Sequence, residues 1–449
     1  MLPLAMPAAL ILNLVLLSVL AAACGGGPRG QVMSAVEASD LELAIHRYER
    51  YREDEGADPG LLAQVAALLL EDAAAGDDEG ARRAALAQLG LAGTAGRESL
   101  RRLAQPGREP VLRARALELL ARGGDGGAKD ELRALLDAER WEILAAAVSV
   151  LDGQSDEALL LAYLEHPAEA VRRVAARKLA EAAPAGAIRA ALAEAARVDP
   201  SPAVRAAAAT SLGAFGVEGF RMLEERLGDP ESRVRLAAVR ALVRADRAAA
   251  LSVLGPLLDM APSPAGIEAA RVLAGGARQA GDEVPEGHVE GETLARAYLR
   301  RALEVSAPNL RSQAAVALGS LEGVADLGAV LIAAAESEED PQVRLGIATI
   351  LARDETTADK GFEVLGEIMR GEDLPAVSAA AFLAREDVAE ATPRLEALMA
   401  SSEANIRRVA ARALARDAVE PDAARGALTD EDITVRISAA GGILAALNA

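Results

Sequence analysis

The sequence predicts an all-α fold, an α-solenoid of about twelve helix-turn-helix units, and three observations predict it. The first is a template that recurs about every thirty residues and is clearest in Asp199 to Gly213, DPSPAVRAAAATSLG. Val204, Ala207, Ala208, Ser211 and Leu212 follow the i, i+3, i+4, i+7, i+8 spacing that puts side chains on one helix face. Val234, Ala237, Ala238, Ala241 and Leu242 repeat it. The apolar pair at i and i+8 returns at Ala81 and Leu89, Leu112 and Leu120, Ile143 and Leu151, and Val171 and Leu179. It returns again at Leu310 and Leu318, Val343 and Leu351, Ile406 and Leu414, and Val435 and Ile443. In nine of these ten helices the residue at i+4 is Ala, and Ile347 is the exception. A small residue at the centre of a buried face lets the next helix approach closely. Two further units are degenerate, Ala265 to Leu273 and Pro375 to Leu383.

The second observation is that another amphipathic segment and a short turn precede each template helix. Gly219 to Leu227 precedes GDPES and the Val234 helix; Ile188 to Ala196 precedes VDPSP and the Val204 helix. Ser201 suits the orphan amides of a helix start, and Pro202 suits the first helical position, where its missing N–H is not needed. Such a hairpin cannot bury its apolar face alone and buries it on its neighbours. The third observation is composition. Of 449 residues, 51% are hydrophobic but only 2% aromatic, and much of the apolar content is Ala, which fits thin, closely spaced layers better than one closed core.

These residues resemble the HEAT repeats, in particular their short bacterial form. The segments DPSPAVRAAAATSLG, DPESRVRLAAVRAL (229 to 242), HPAEAVRRVAARKL (166 to 179) and DPQVRLGIATIL (340 to 351) are similar to the second-helix consensus of that family. The resemblance covers roughly Ala81 to the C-terminus. It implies a right-handed superhelix whose second helices line the concave side and which works by binding other macromolecules. The two degenerate units and the long gap before Leu310 depart from the pattern.

Residues 1 to 28 carry no charged side chain, and Ala8 to Ala23 is an apolar run interrupted by Asn13 and Ser18. It ends in small residues before Cys24, the single cysteine of the chain. This stretch (1–23) resembles a bacterial lipoprotein signal peptide, with LAAAC as its lipobox and Cys24 as the lipidation site. An ordinary secretory signal and an uncleaved anchor remain open, since the n-region lacks Lys and Arg and Ala21 stands where a lipobox leucine is usual. With one cysteine no disulfide within the chain forms.

A Gly-rich tether is expected over 24–33, with helix beginning near Val32. The segment 34–80 reads as N-terminal helices that cap an open end of the solenoid, which then occupies 81–449. Tyr48 and Tyr51 lie in the capping segment and read as packing, as does Trp141 just before Ile143. GGDGGAKDE (123 to 131) reads as a turn between repeats. Between about 276 and 292 the period breaks in an acidic, Gly-containing segment expected to be an inserted loop.

Arg stands beside the first apolar residue in nine of the ten template helices, at Arg82, Arg113, Arg172, Arg205, Arg235, Arg311, Arg344, Arg407 and Arg436. One reading is an exposed basic stripe. The favoured reading, drawn from the family, has each Arg meet an acidic or carbonyl group of the adjacent turn, such as Asp199, Asp229 or Asp340. That makes a structural ladder between repeats.

Catalytic patterns are not found. His46, His166 and His288 are far apart, and the sequence has no HExxH, GxSxG or GxxxxGK[ST]. His288 with Glu286 and Glu290 would make a poor cation site, so no metal and no cofactor are expected. A net charge of −20 opposes nucleic acid and anionic membrane surfaces as partners. The expected function is a non-enzymatic scaffold at the bacterial cell envelope. It would be held to a membrane through its N-terminal lipid, facing the periplasm or exterior, and would bind a protein partner. The alternatives are a mechanical spacer and, from the family, a bilin lyase-like enzyme. Exposed large side chains gathered in one cluster would favour binding; a uniform Ala and Arg surface would favour the spacer.

Overall fold

The computed structural model describes residues 27–182, 186–275, 288–321, 327–417 and 421–447. Cys24, the apolar run before it and most of the 276–292 insertion lie outside the described residues. So do the side chains of Glu286, His288 and Glu290. Every regular element among the described residues is helical.

In chain order the helices are α1 (Pro28–Glu37), α2 (Leu41–Glu55), α3 (Pro59–Ala75), α4 (Glu79–Leu91), α5 (Gly93–Leu103), α6 (Pro110–Arg122), α7 (Gly126–Arg133) and α8 (Trp141–Val148). Then come α9 (Glu157–Leu164), α10 (Glu169–Lys178), α11 (Gly186–Val198), α12 (Pro202–Leu212), α13 (Val217–Glu224), α14 (Ser232–Ala245), α15 (Arg247–Leu254), α16 (Pro264–Gly275) and α17 (His288–Leu303). The remainder are α18 (Pro308–Gly319), α19 (Leu327–Ser337), α20 (Pro341–Leu351), α21 (Ala358–Met369), α22 (Leu374–Arg385), α23 (Ala391–Leu398), α24 (Ala404–Asp417) and α25 (Ile433–Leu447). The fold is the expected all-α stack of hairpins. The template faces are its contact faces: all nine alanines at i+4, from Ala85 to Ala439, are 0% exposed. Because these centres are methyl groups, helix backbones come close, and the contact is made without large side chains.

The chain divides into two compact units, one of Met1–Arg108 with Ala384–Ala449 and one of Glu109–Leu383. In the second unit the template helices follow one another, α8 on α6, α10 on α8, α12 on α10, α14 on α12 and α16 on α14. Each is preceded by a first helix, and the apolar core runs through the layers from Leu144 to Leu351.

The first unit is discontinuous in sequence. α3, apolar on most of its surface, packs against α25, and so does α4. A 3-10 segment, Pro421–Thr429, lies on α3 and brings Asp422 to α2. The buried Tyr48 hydroxyl donates to Asp422 (3.3 Å), Arg52 Nε donates to the same carboxylate (2.5 Å), and Arg425 reaches Glu49 (3.2 Å). Gly441 of α25 meets the Gln88 side chain so closely that a β-carbon there would stand 2.3 Å from Oε1. Of the N-terminal helices, α3 thus does not face an open end; the C-terminal α25 covers it.

Two boundaries differ from expectation for one reason. Helix begins at Pro28 instead of near Val32, and at Gly126 inside GGDGGAKDE. Gly and Pro suggested linkers, yet Pro28 occupies a first-turn position and Asp125 accepts the Ala128 N–H, so both stretches start helices.

The degenerate unit at Ala265 has its own device. Ala261 stands in a turn where the neighbouring repeats carry Asp199 and Asp229. The hydroxyl of the buried Tyr298, from α17, takes over there. It accepts the Ser263 N–H (3.0 Å) and donates to the Ala261 carbonyl (3.2 Å), and the Arg301 guanidinium lies 5.3 Å over its ring. Gly266 is required beside it, since a β-carbon would fall 2.0 Å from the hydroxyl oxygen. Tyr298→Phe strands the Ser263 N–H and is expected to cost about 1–3 kcal/mol. Hydrogen exchange at the Ser263 amide should quicken, and an unchanged exchange rate and melt would show the hydroxyl to be dispensable.

Candidate interaction surface

The template arginines come together with carboxylates in a repeating bracket. Arg172 donates through Nη1 to the His166 and Pro167 carbonyls of its own turn, and through Nε and Nη2 to the Asp199 carboxylate of the next repeat (2.8 and 3.0 Å). Arg205 does the same between the Asp199 carbonyl and the Asp229 carboxylate (2.9 and 3.0 Å). Arg311 links the Val305 and Ser306 carbonyls to Glu338 (both 2.7 Å), and Arg407 links the Ser401 and Ser402 carbonyls to Asp430 (2.8 and 2.9 Å). In each of these four the carboxylate lies five residues before the first apolar position of the following template helix. It also accepts the N–H two residues on, at Ser201, Glu231, Asp340 and Asp432. For Arg311 the partner is therefore Glu338 and not Asp340, which instead caps α20 by accepting from Gln342 and Val343.

The other arginines show what the bracket needs. Arg235 holds the Asp229 and Pro230 carbonyls, but the following turn carries Ala261, and among the described residues no carboxylate meets it. Arg436 likewise holds the Asp430 and Glu431 carbonyls. Arg113 pairs with Glu131 of α7, Arg344 with the exposed end of Glu367 (2.7 Å), and Arg82 with the Gly76 carbonyl (2.8 Å). Arg133 was not singled out by the template, yet it forms a paired contact with Asp156 (2.7 and 2.8 Å).

Electrostatics follow geometry. Burial pushes the Asp229 carboxyl up, but Arg205 and the Glu231 N–H outweigh it and hold the group below its ordinary range. Arg311 and Arg407 hold Glu338 and Asp430 down in the same way, and Arg133 brings Asp156 to about 2.

These groups are occupied with one another. The cleft of about 690 Å³ beside α18 and α19 is walled partly by Arg311 and Glu338, already paired. Among the described residues no group of three or more His, Cys, Asp or Glu side chains is placed to hold a metal ion. His166, at the turn position of Asp199, does a turn's work: its Nδ1 accepts the Ala168 N–H (3.1 Å). Tyr48 packs, stacked on Tyr51 with ring centres 6.4 Å apart. Trp141, expected to pack, is 45% exposed at the start of α8. What remains open is the solvent face of the second helices, where the residue at i+6 is exposed Arg177, Thr210 or Arg240. The template did not mark this position, because it lies outside the buried stripe.

Comparison with known proteins agrees with the hairpin repeat. Residues 157–220 and 190–274 match the family model described as HEAT repeats. The sequence matches no curated protein. Among solved structures, the chain is similar to an engineered protein at 21% identity, over 82% of this chain and 98% of that one, with a TM-score of 0.32. It is similar to yeast importin-beta (Kap95p) at 15% identity, over 86% of this chain and 66% of that one, with a TM-score of 0.43. Its similarity to a chain of the Pds5-Scc1 complex is 12%, over 82% and 72%, with a TM-score of 0.32.

Arg205 and Asp229 are 12% and 4% exposed in their side chains, so Arg205→Ala leaves a mostly buried carboxylate with one N–H partner. The expected cost is about 2–4 kcal/mol, read as a lower melting temperature. An unchanged melt would remove the bracket as a source of stability. The depressed carboxylates also fix an acid response. Their contribution is fully present above the ordinary pKa values of 3.8 and 4.5 and is lost as pH falls toward about 2. The melting temperature should therefore decline between about pH 5 and pH 2, less steeply for Arg205→Ala.

Proposed function

We propose that the chain is an exported, membrane-tethered HEAT-repeat scaffold that mediates protein-protein interaction at the bacterial cell envelope. The observation that carries this reading is the division of labour along the second helices. Their template faces and turn arginines are consumed in repeat-to-repeat contact, while the i+6 residues of the successive helices α10, α12 and α14 are left to solvent. A stack of this kind offers a surface built from many repeats, which suits recognition of another protein. The similar folds point the same way by analogy, one described in complex with Scc1 and one as binding RanGDP.

The tether rests on sequence. The apolar run ending in LAAAC presents Cys24 as the acylation site, and lipid at that residue would hold the hairpin stack against a membrane. Among the described residues no helix is long and apolar enough to cross a membrane. The attachment would therefore fall to the first two dozen residues.

Two measurements test the proposal. Cys24→Ala should move the tagged protein from the detergent-extractable membrane fraction to the soluble one; retention in the membrane would replace lipid attachment with an uncleaved anchor. In-cell crosslinking, purification from native membranes and mass spectrometry should recover one dominant envelope protein. Recovery of the chain alone would overturn the scaffold and leave a mechanical spacer.

A further inference from the structure

The arginines outside the brackets are not spread evenly. Arg115, Glu118 and Arg122 line one side of α6, and Arg173 and Arg177 line the corresponding side of α10. Between them lies α8, whose residues at the same positions are Ala145 and Ser149. The long side chains meet over this low floor. Arg122 and Glu118 of α6 are close enough to act electrostatically on Arg177 of α10, although the two helices belong to repeats on either side of α8. Ala145 is accordingly buried, whereas Ala206, its counterpart in α12, is partly exposed.

Four guanidinium groups here face one carboxylate. Glu118 is buried and already accepts from Arg115 (2.7 Å) and Arg122 (2.6 Å). Among the described residues neither Arg173 nor Arg177 has an ion pair, and the buried Nε of Arg173 has no hydrogen-bond partner. Burial first, then the neighbouring Arg173 and Arg122, hold the Arg177 guanidinium below its ordinary pKa. The protein as a whole carries −20, so a cluster with one carboxylate among four guanidinium groups is a local reversal of sign. Mutually repelling guanidinium groups gain most from carboxylates, which they grip in pairs.

We propose that Arg115, Arg122, Arg173 and Arg177 form a docking surface for a short Asp- or Glu-rich segment of a partner protein. The proposal rests on the scaffold reading above and gives the partner's chemistry. Three adjacent helices span on the order of 20 Å, which an extended segment of about six residues covers. A nucleic acid is disfavoured because its phosphates run beyond such a patch onto an acidic surface, where they are repelled.

The test uses the tagged full chain and a fluorescein-labelled dodeca-glutamate peptide in low-salt buffer, followed by anisotropy. Wild type should bind in a salt-sensitive manner. Arg173→Glu with Arg177→Glu should weaken binding at least about tenfold, and Arg177→Gln should fall between. A control of equal charge change, Arg197→Glu with Arg233→Glu, should remain within about twofold. Matching melting curves establish that the variants fold. No binding by wild type, equal loss in both double variants, or tighter binding of an oligo-dT of the same length would each overturn the proposal. The two readings separate in cells. A partner captured equally by wild type and by the Arg173/Arg177 variant sinks the docking surface and leaves the scaffold. Peptide binding that depends on the cluster, with no protein captured from membranes, sinks the scaffold and leaves the surface.

Discussion

Close approach of helices through alanine is the constraint on which the rest of the structure depends. Each buried i+4 methyl fixes how near the next layer comes, and little apolar area is gained at any one contact. Stability must therefore come from repetition and from polar groups at the layer edges. The bracket is the edge device. Its arginine ties the carbonyls of its own turn to the carboxylate of the next, so the hydrogen bonds that finish one helix start also register the following repeat.

The bracket is also consistent where it fails. α8 carries Leu144 where the other template helices carry Arg, and the turn that would have answered it has His166, which accepts from its own backbone. The turn after α14 has Ala261 and no acid; Arg235 keeps to its own carbonyls, and Tyr298 arrives from another helix to accept the amide left over. A guanidinium or amide left alone in these part-buried turns would be costly, so at α8 both partners are replaced, and where only the acid is lost Arg235 keeps its own carbonyls and a tyrosine takes the amide.

Much of this was legible in sequence because it is local and periodic. The i, i+4 and i+8 residues read as contact faces and are contact faces, since a helix repeats every 3.6 residues whatever surrounds it. The turn arginines were legible as a set, but their partners only in part: Glu338 needed the register of the whole turn, and Asp340 was the nearer acid by eye. Starts at Pro28 and Gly126 were hidden by residues that serve linkers and helix N-termini alike. Arg173 and Arg177 escaped because no template marks a solvent position, and their meeting with Arg122 depends on α8 being floored by small residues. Tyr298, some thirty-five residues from the amide it serves, had no periodic signal at all.

The compact unit made of the first and last segments has a consequence for how the molecule comes into being. Layers from Glu109 to Leu383 contact their sequence neighbours and can consolidate as the chain emerges. α3 cannot, because its cover, α25, follows it only after the whole of the second unit, and Tyr48 waits for an acid 374 positions downstream. Closing so long a loop adds little entropy beyond what a shorter one costs, so the finished contact is thermodynamically accessible. The burden is one of time: an apolar helix stays without its native neighbour until those distant residues have been made. A nascent or C-terminally truncated chain would expose that face, and this is where a holding chaperone would be needed.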